Sequence, residues 1–310
     1  MTAAAFDLSA HLGPLALANP VLVASGTFGF GMEMSRVAEV RKLGAVVMKS
    51  LTVKPRSGNP PPRIVETPSG MLNAIGLENP GVDGFLKTIL PQAKNLGVPL
   101  IANIAGGSVE DYVQLAGRLS REAAGAIVAI EMNVSCPNVG AKGLHFGVAP
   151  ELLKGLVAAV RAETKLPLIV KLSPNVTDIV EVAKAALAGG ADALTLINTL
   201  LGMAVDVKTR RPKLANVTGG LSGPAVKPVA LRMVHQVYQA TKAPIIGLGG
   251  ITSADDAIEF LMAGASAVAV GTWNFVEPTA AAELPEKIAI RAAELGFSSV
   301  QEMVGTLRTE

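Results

Sequence analysis

The sequence predicts a (β/α)8 TIM barrel with an N-terminal hairpin and inserted hairpin loops at its C-terminal face. Three observations predict it. Eight short runs of Val, Ile, Leu and Ala recur along the 310 residues with helical patterns between them. Continuous rather than alternating apolar runs mark parallel strands that are covered on both faces. Several runs follow a helical stretch that ends in glycine, a common helix stop. Each run leads into polar residues or paired glycines at its carboxyl end, where barrels carry their working groups. Eight strand–helix units in one chain favour a closed barrel over an open sheet.

In order, the strands are expected in PVLVAS from Pro20, AVVMKS from Ala45, PLIANI from Pro99, AIVAIEMNVS from Ala126, PLIVKLS from Pro167, ALTLIN from Ala193, PIIGLGG from Pro244 and AVAVGT from Ala267. Helices stopped by glycine are expected at KLGA before Ala45, NLGVP before Pro99, AGGADA before Ala193 and MAGASA before Ala267. Three segments exceed a minimal barrel. FDLSAHLGPLALANP, turning at His11-Leu12-Gly13-Pro14, reads as a hairpin that plugs the barrel floor. Leu51 to Gly70 contains KPRSGNPPPR, too rich in Pro and Gly for a helix, and makes a long excursion after the second strand. Leu200 to Gly223 follows the sixth strand and predicts another hairpin. No stretch has the composition of a linker, so residues 1–310 are expected to form one barrel domain.

Composition narrows the function. Half the residues are hydrophobic and 17% are charged, which implies a large core. A net charge of +2 without a Lys/Arg run leaves no electrostatic footprint for nucleic acid. A single cysteine, Cys136, allows neither an internal disulfide nor the thiolate set of a zinc or iron–sulfur centre, and suggests a cytoplasmic protein. No segment approaches the roughly 18 consecutive apolar residues of a membrane span, so a soluble chain is expected. A lone thiol is either a small buried hydrophobe or a reactive group. Composition leaves both open.

The strand ends carry the functional signal. Ser25 follows the first strand, Lys49 and Ser50 the second, Asn103 the third, Asn133 the fourth, Lys171 the fifth, and Asn198 and Thr199 the sixth. Gly249-Gly250 and Gly271-Thr272 end the last two. Taken singly, each has an ordinary reading as a turn former or solvated residue. Taken together, two lysines and three asparagines at one mouth would be costly to desolvate without an anionic, hydrogen-bonding ligand. Glycine turns after strands seven and eight, with a helix opening at GLGGITSADD and capped by Thr252 or Ser253, suit a phosphate. No GxGxxG follows a strand, so a mononucleotide such as flavin mononucleotide (FMN) is favoured over a dinucleotide.

NAIGLENPG from Asn73, NVSCPN from Asn133, VKLSPN around Lys171, INT at Ile197, GGLSG at Gly219, GLGGI and AVGT together resemble the class 1 dihydroorotate dehydrogenases over essentially the whole chain. GLGGI alone is weak, whereas NVSCPN with NAIGLENPG is specific. The resemblance is greatest to class 1B catalytic subunits. It implies oxidation of dihydroorotate to orotate in pyrimidine biosynthesis, with FMN held by Ser25, Lys49, Ser50, Asn103, Asn133, Lys171, Ile197, Gly223, Gly249, Gly250, Gly271 and Thr272. Substrate contacts are implied for Lys49, Asn73, Ala74, Ile75, Gly76, Leu77, Asn133, Asn198 and Thr199, and the general base for Cys136. Gly140, Gly143 and Gly147 around that cysteine suit a loop able to close over the site.

The resemblance also implies a homodimeric core within a heterotetramer, whose electron-transfer subunit carries FAD and a [2Fe–2S] cluster and passes electrons to NAD+. Alternatives are a class 1A type enzyme using fumarate and a non-redox barrel lyase or isomerase with the same phosphate cradle. No metal site is expected.

Overall fold

The computed structural model describes residues 6–135 and 146–309. In chain order its strands are β1 (Ala10–Leu12), β2 (Leu15–Leu17), β3 (Val21–Val23), β4 (Ala45–Val47), β5 (Ile64–Thr67), β6 (Gly70–Asn73), β7 (Leu100–Ile104), β8 (Ala129–Asn133), β9 (Leu168–Lys171), β10 (Ala193–Leu196), β11 (Leu200–Met203), β12 (Val205–Asp206), β13 (Arg211–Pro212), β14 (Thr218–Ser222), β15 (Ile245–Leu248) and β16 (Ala267–Val270). Eight of them close into a barrel in the order β3-β4-β7-β8-β9-β10-β15-β16, every pair parallel. Each lies within one of the eight apolar runs.

Their side chains are buried on both faces, as unbroken apolar runs require. One set, including Val23, Val46, Leu100, Ile130, Val170 and Ile245, packs outward in the cluster shared with the helices. The other set, including Leu22, Val47, Ile101, Ala129, Ile169, Ile246 and Ala269, fills the interior. Ala10, Leu12, Leu15 and Leu17 of the β1–β2 hairpin belong to that interior cluster, while His11 and Ala16 face solvent. The antiparallel hairpin therefore plugs the barrel, as expected from its two apolar stretches, with alternate residues turned inward. Gly13 packs against Asp192, just before β10, so the plug sits at the amino ends of the strands. The carboxyl ends are left for the site.

Helices at Val109–Glu122, Pro150–Glu163, Ile179–Ala188, Lys227–Thr241, Ala254–Ala263 and Ala280–Glu294 cover the outside. The first crossover differs from expectation. Between β3 and β4 stand only the 3-10 turns Met34–Arg36 and Val40–Lys42 in place of a helix ending at KLG. Gly26, Gly29 and Gly31 there take φ of 86°, 60° and 93°, values that a right-handed helix excludes.

The two excursions meet. β5 and β6 form an antiparallel pair, β6 pairs with β14, and β14 with β11, giving a four-stranded sheet. The β11–β14 hairpin matches the sequence reading of Leu200 to Gly223; strands in the excursion that begins at Leu51, and the union of the two insertions, were not expected. Leu72, Ala74 and Leu214 form a small core beneath this sheet. Among the described residues no helix is long and apolar enough to cross a membrane.

The plug makes a testable claim. Leu12→Ala, at a fully buried position, should lower the free energy of unfolding by about 2–5 kcal/mol in denaturant titrations. His11→Ala, on the solvent side of the same strand, should stay within about 0.5 kcal/mol of the parent.

Candidate active site

The barrel interior is apolar until its carboxyl end, where strands β7, β8, β9 and β10 turn polar. Among the described residues Glu131 and Lys171 are the two charged side chains that are buried, at 1% and 6% exposure. They do not pair directly. Glu131 stands opposite Ile169 and Lys171 opposite Asn133, so the charges are offset by two residues across neighbouring strands. Both carboxylate oxygens of Glu131 are engaged elsewhere: Oε1 accepts from Asn103 Nδ2 at 2.6 Å and Oε2 from Thr195 Oγ1 at 2.7 Å. Asn103 is fully buried, and its Oδ1 has no partner among the described residues. Nothing among the described residues accepts from the Lys171 ammonium. Burial pushes that ammonium below the ordinary lysine value, and the Glu131 carboxylate partly opposes the shift. An unmatched cation and an unmatched acceptor thus lie on the same inner wall.

Around this centre the other strand-end residues interlock. Asn198 Nδ2 donates to Asn133 Oδ1 at 3.1 Å, and the Ser135 N–H donates to the same oxygen at 3.3 Å. Asn198 Oδ1 accepts from the Thr199 N–H at 2.8 Å. Both amide orientations are therefore set. Ser25 and Ser50 hydroxyls stand 3.4 Å apart. Lys49 is half-buried; burial lowers its ammonium from the usual value, Glu78 and Glu33 oppose that, and Arg63 adds to it. Arg63 forms an ion pair with Glu78.

The four-stranded sheet brings Asn73 and Thr199 to this mouth. Asn73 Nδ2 reaches the Gly220 carbonyl at 3.4 Å, and a Cβ at Gly220 would stand 2.1 Å from Thr199 Oγ1. From Ala74 to Leu77 the chain runs beside Asn59, whose Nδ2 donates to the Ala74 carbonyl and whose N–H donates to the Ile75 carbonyl, both at 2.9 Å. Gly76 packs against Asn59.

The glycine turns gather on the opposite side. Ile197 N–H donates to the Leu248 carbonyl at 2.9 Å, next to Gly249. Gly250, at φ of 72°, approaches the Gly223 carbonyl so closely that a Cβ would meet it at 2.9 Å. Thr272 Oγ1 donates to Ser222 Oγ at 2.7 Å, and the 3-10 turn Thr272–Phe275 opens there. The helix Ala254–Ala263 is capped by Ser253, one of the two caps foreseen, but its first turn is occupied. Asp256 Oδ2 accepts from the Thr252 N–H and Oγ1 and from the Ser253 N–H, while Oδ1 receives Lys227 Nζ. Burial works against that carboxylate, yet hydrogen bonds from Lys227, Thr252 and Ser253 hold it at about 2. An anion is thus better served by the glycine turns at 223, 249–250 and 271–272 than by this helix end.

Cys136 lies outside the described residues, as do Gly140 and Gly143. The flanks of that segment meet at the mouth: Gly147 packs against Val134 and Ser135, and Ser135 Oγ donates to the Lys171 carbonyl at 3.4 Å.

Glu131, Thr195 and Ser222 are site residues that the strand-end rule passes over. Glu131 had a signal, since a carboxylate inside the run AIVAIEMNVS is out of place unless paired.

The buried cation yields a prediction. With its folded-state pKa depressed, Lys171 binds fewer protons folded than unfolded, so its contribution is complete above the ordinary value of 10.5 and is lost as pH falls through the folded value. Lys171→Met should therefore raise the stability of the ligand-free protein at neutral pH, by a margin that shrinks as pH approaches 10.5 in denaturant titrations. A margin independent of pH contradicts the buried charge.

Comparison with known proteins gives the family. The family profile for dihydroorotate dehydrogenase matches residues 8–291. A protein of Trichlorobacter lovleyi, "Dihydroorotate dehydrogenase B (NAD(+)), catalytic subunit", is 55% identical over 300 residues, covering 97% of this chain and 98% of its own. Proteins of the same name from Listeria welshimeri and Bacillus pumilus are each 52% identical, over 96% of this chain and 97% and 96% of theirs. Matched by the profile over most of its length and by full-length relatives above half identity, the chain belongs to the dihydroorotate dehydrogenase family.

Proposed function

We propose that this chain oxidises dihydroorotate to orotate as the catalytic subunit of a two-subunit enzyme, with FMN at the carboxyl end of the barrel and Cys136 as general base. The observation that carries the cofactor is the inner wall. A buried acceptor without a partner among the described residues, Asn103 Oδ1, lies on the same inner wall as a buried ammonium without an acceptor, Lys171. The pyrimidine edge of a flavin presents an imide N–H between two carbonyls and gathers negative charge on reduction, so donor, acceptor and charge all fit. The glycine turns at 223, 249–250 and 271–272 suit its phosphate. When bound, the flavin supplies the two-electron acceptor for a hydride from ring carbon 6 of the substrate.

The chain's own residues do the rest. Lys171 keeps a positive charge beside the ring edge, where negative charge develops. Ser25, Lys49, Ser50, Asn133 and Ile197 complete the cofactor's surroundings. Lys49 meets the substrate carboxylate, and its low hydration favours a charged partner. Asn73, Asn133, Asn198 and Thr199, with the turn Ala74 to Leu77, bind the substrate's ring amides. Cys136 is the next residue in the chain after Ser135, whose hydroxyl reaches the Lys171 carbonyl, and that sequence position supports its assignment as base. Its thiolate removes the proton from ring carbon 5. A free thiol titrates at about 8.5, and neighbouring positive charge brings it toward working pH.

Electrons leave by a partner. Relatives above 50% identity are named catalytic subunits of an NAD(+) enzyme. We assign the route onward to an electron-transfer subunit bearing FAD and a [2Fe–2S] cluster, in a cytoplasmic heterotetramer built on a homodimer of this chain.

Turnover by variants and by the isolated chain tests the reading. Cys136→Ala should bind FMN and orotate normally but turn over at least about 100-fold more slowly, and near-normal rates contradict the base assignment. Cys136→Ser should keep partial activity with its pH optimum displaced upward, serine being the weaker acid. The purified chain alone should reduce NAD+ poorly, and full-rate reduction would remove the partner.

A further inference from the structure

Glu131 is a buried charge that the reaction described above leaves without a task. It stands directly opposite Asn103 across the β7–β8 pair, and it reaches past β9 to Thr195 on β10. An ionised carboxylate has acceptors only. Whichever end of the Asn103 amide faces it must therefore be the NH2 end, which donates at 2.6 Å. The other end, Oδ1, is turned away and stays unpartnered among the described residues. With a neutral amide at position 131 either orientation of Asn103 can be hydrogen-bonded, because one amide serves another as donor or as acceptor. Charge-assisted bonds are also about twice as strong as neutral ones.

We propose that Glu131 is a positioning residue: its carboxylate, held by Thr195, locks the Asn103 amide with the carbonyl toward the bound ring, so that the site selects a ring bearing an N–H there. This rests on the flavin reading above and deepens it, since the selected group is the imide N–H of the flavin's pyrimidine edge. The device gives the buried carboxylate a task beyond its partial support of the Lys171 charge. It also sets Glu131 and Lys171 as opposite charges within one wall, one fixing an acceptor and the other supplying a cation.

The test is a ratio. The full-length chain, stripped of flavin, is titrated with FMN and with its N3-methyl analogue, and binding is followed by quenching of flavin fluorescence. The parent should favour FMN by about tenfold or more, the consequence of leaving a buried acceptor unmet. In Glu131→Gln the ratio should fall below the parent's, because the Asn103 amide is then free to turn over and its oxygen is no longer held unmet beside the methyl group. A residue that served only to support the fold would weaken both ligands alike, so a parental ratio in Glu131→Gln overturns the proposal. If that variant does not fold, Thr195→Val carries the test: it keeps the side-chain volume, removes one bond to the carboxylate, and should lower the ratio by about threefold. An unchanged ratio there overturns it equally. A parent chain that binds neither flavin contradicts the cofactor reading itself, an outcome distinct from binding without a change in ratio.

Discussion

Two buried charges that do not touch govern the carboxyl end of this barrel. Desolvating an ammonium and a carboxylate inside apolar walls costs several kcal/mol per ion after relaxation. Glu131 recovers part of that through Asn103 and Thr195, whereas Lys171 has no hydrogen-bond acceptor among the described residues. A protein selected for stability alone would place a methionine at 171. The unmet cation, with the unmet Asn103 oxygen on the same wall, suits the flavin proposed for this site, which carries an N–H and gains negative charge on reduction.

The rest of the fold serves that arrangement. The β1–β2 hairpin closes the amino end of the barrel with Leu12, Leu15 and Leu17, which leaves the polar part of the interior at the opposite end. The joined excursions deliver Asn73 and Thr199 to the mouth from positions far apart in the chain, and Gly220 allows the strands to approach closely enough for Thr199 to fit. Asp256, by occupying its own helix end, directs an anion to the glycine turns instead. Each device is made from ordinary packing and hydrogen bonding, and each narrows what binds.

Much of this was legible in the sequence. All eight barrel strands lie in the continuous apolar runs, because burial on both faces leaves a local mark that needs no knowledge of partners. The hairpin plug was legible in the two short apolar stretches that flank the turn at Gly13-Pro14. The four-stranded sheet was not: β5 and β6 are short and partly exposed, and Asn73 meets Gly220 across 147 residues, a pairing that no local pattern encodes. The first crossover carries two 3-10 turns in place of a helix, and the positive φ of Gly26, Gly29 and Gly31 keeps its opening residues out of helical geometry. At the site, Lys171, Asn103 and Asn133 stood out as polar ends of apolar strands, while Glu131, two residues inside its strand, acquires meaning only from its partners on β7 and β10.

The central claim is that this polar wall exists to hold a flavin that dihydroorotate reduces. Adding dihydroorotate without oxygen to the purified chain and following the visible spectrum tests it most directly. The protein should be yellow, with flavin bands that bleach on addition of substrate and return with oxygen. A colourless protein that takes up no FMN, or a yellow one that dihydroorotate leaves unbleached, would contradict it.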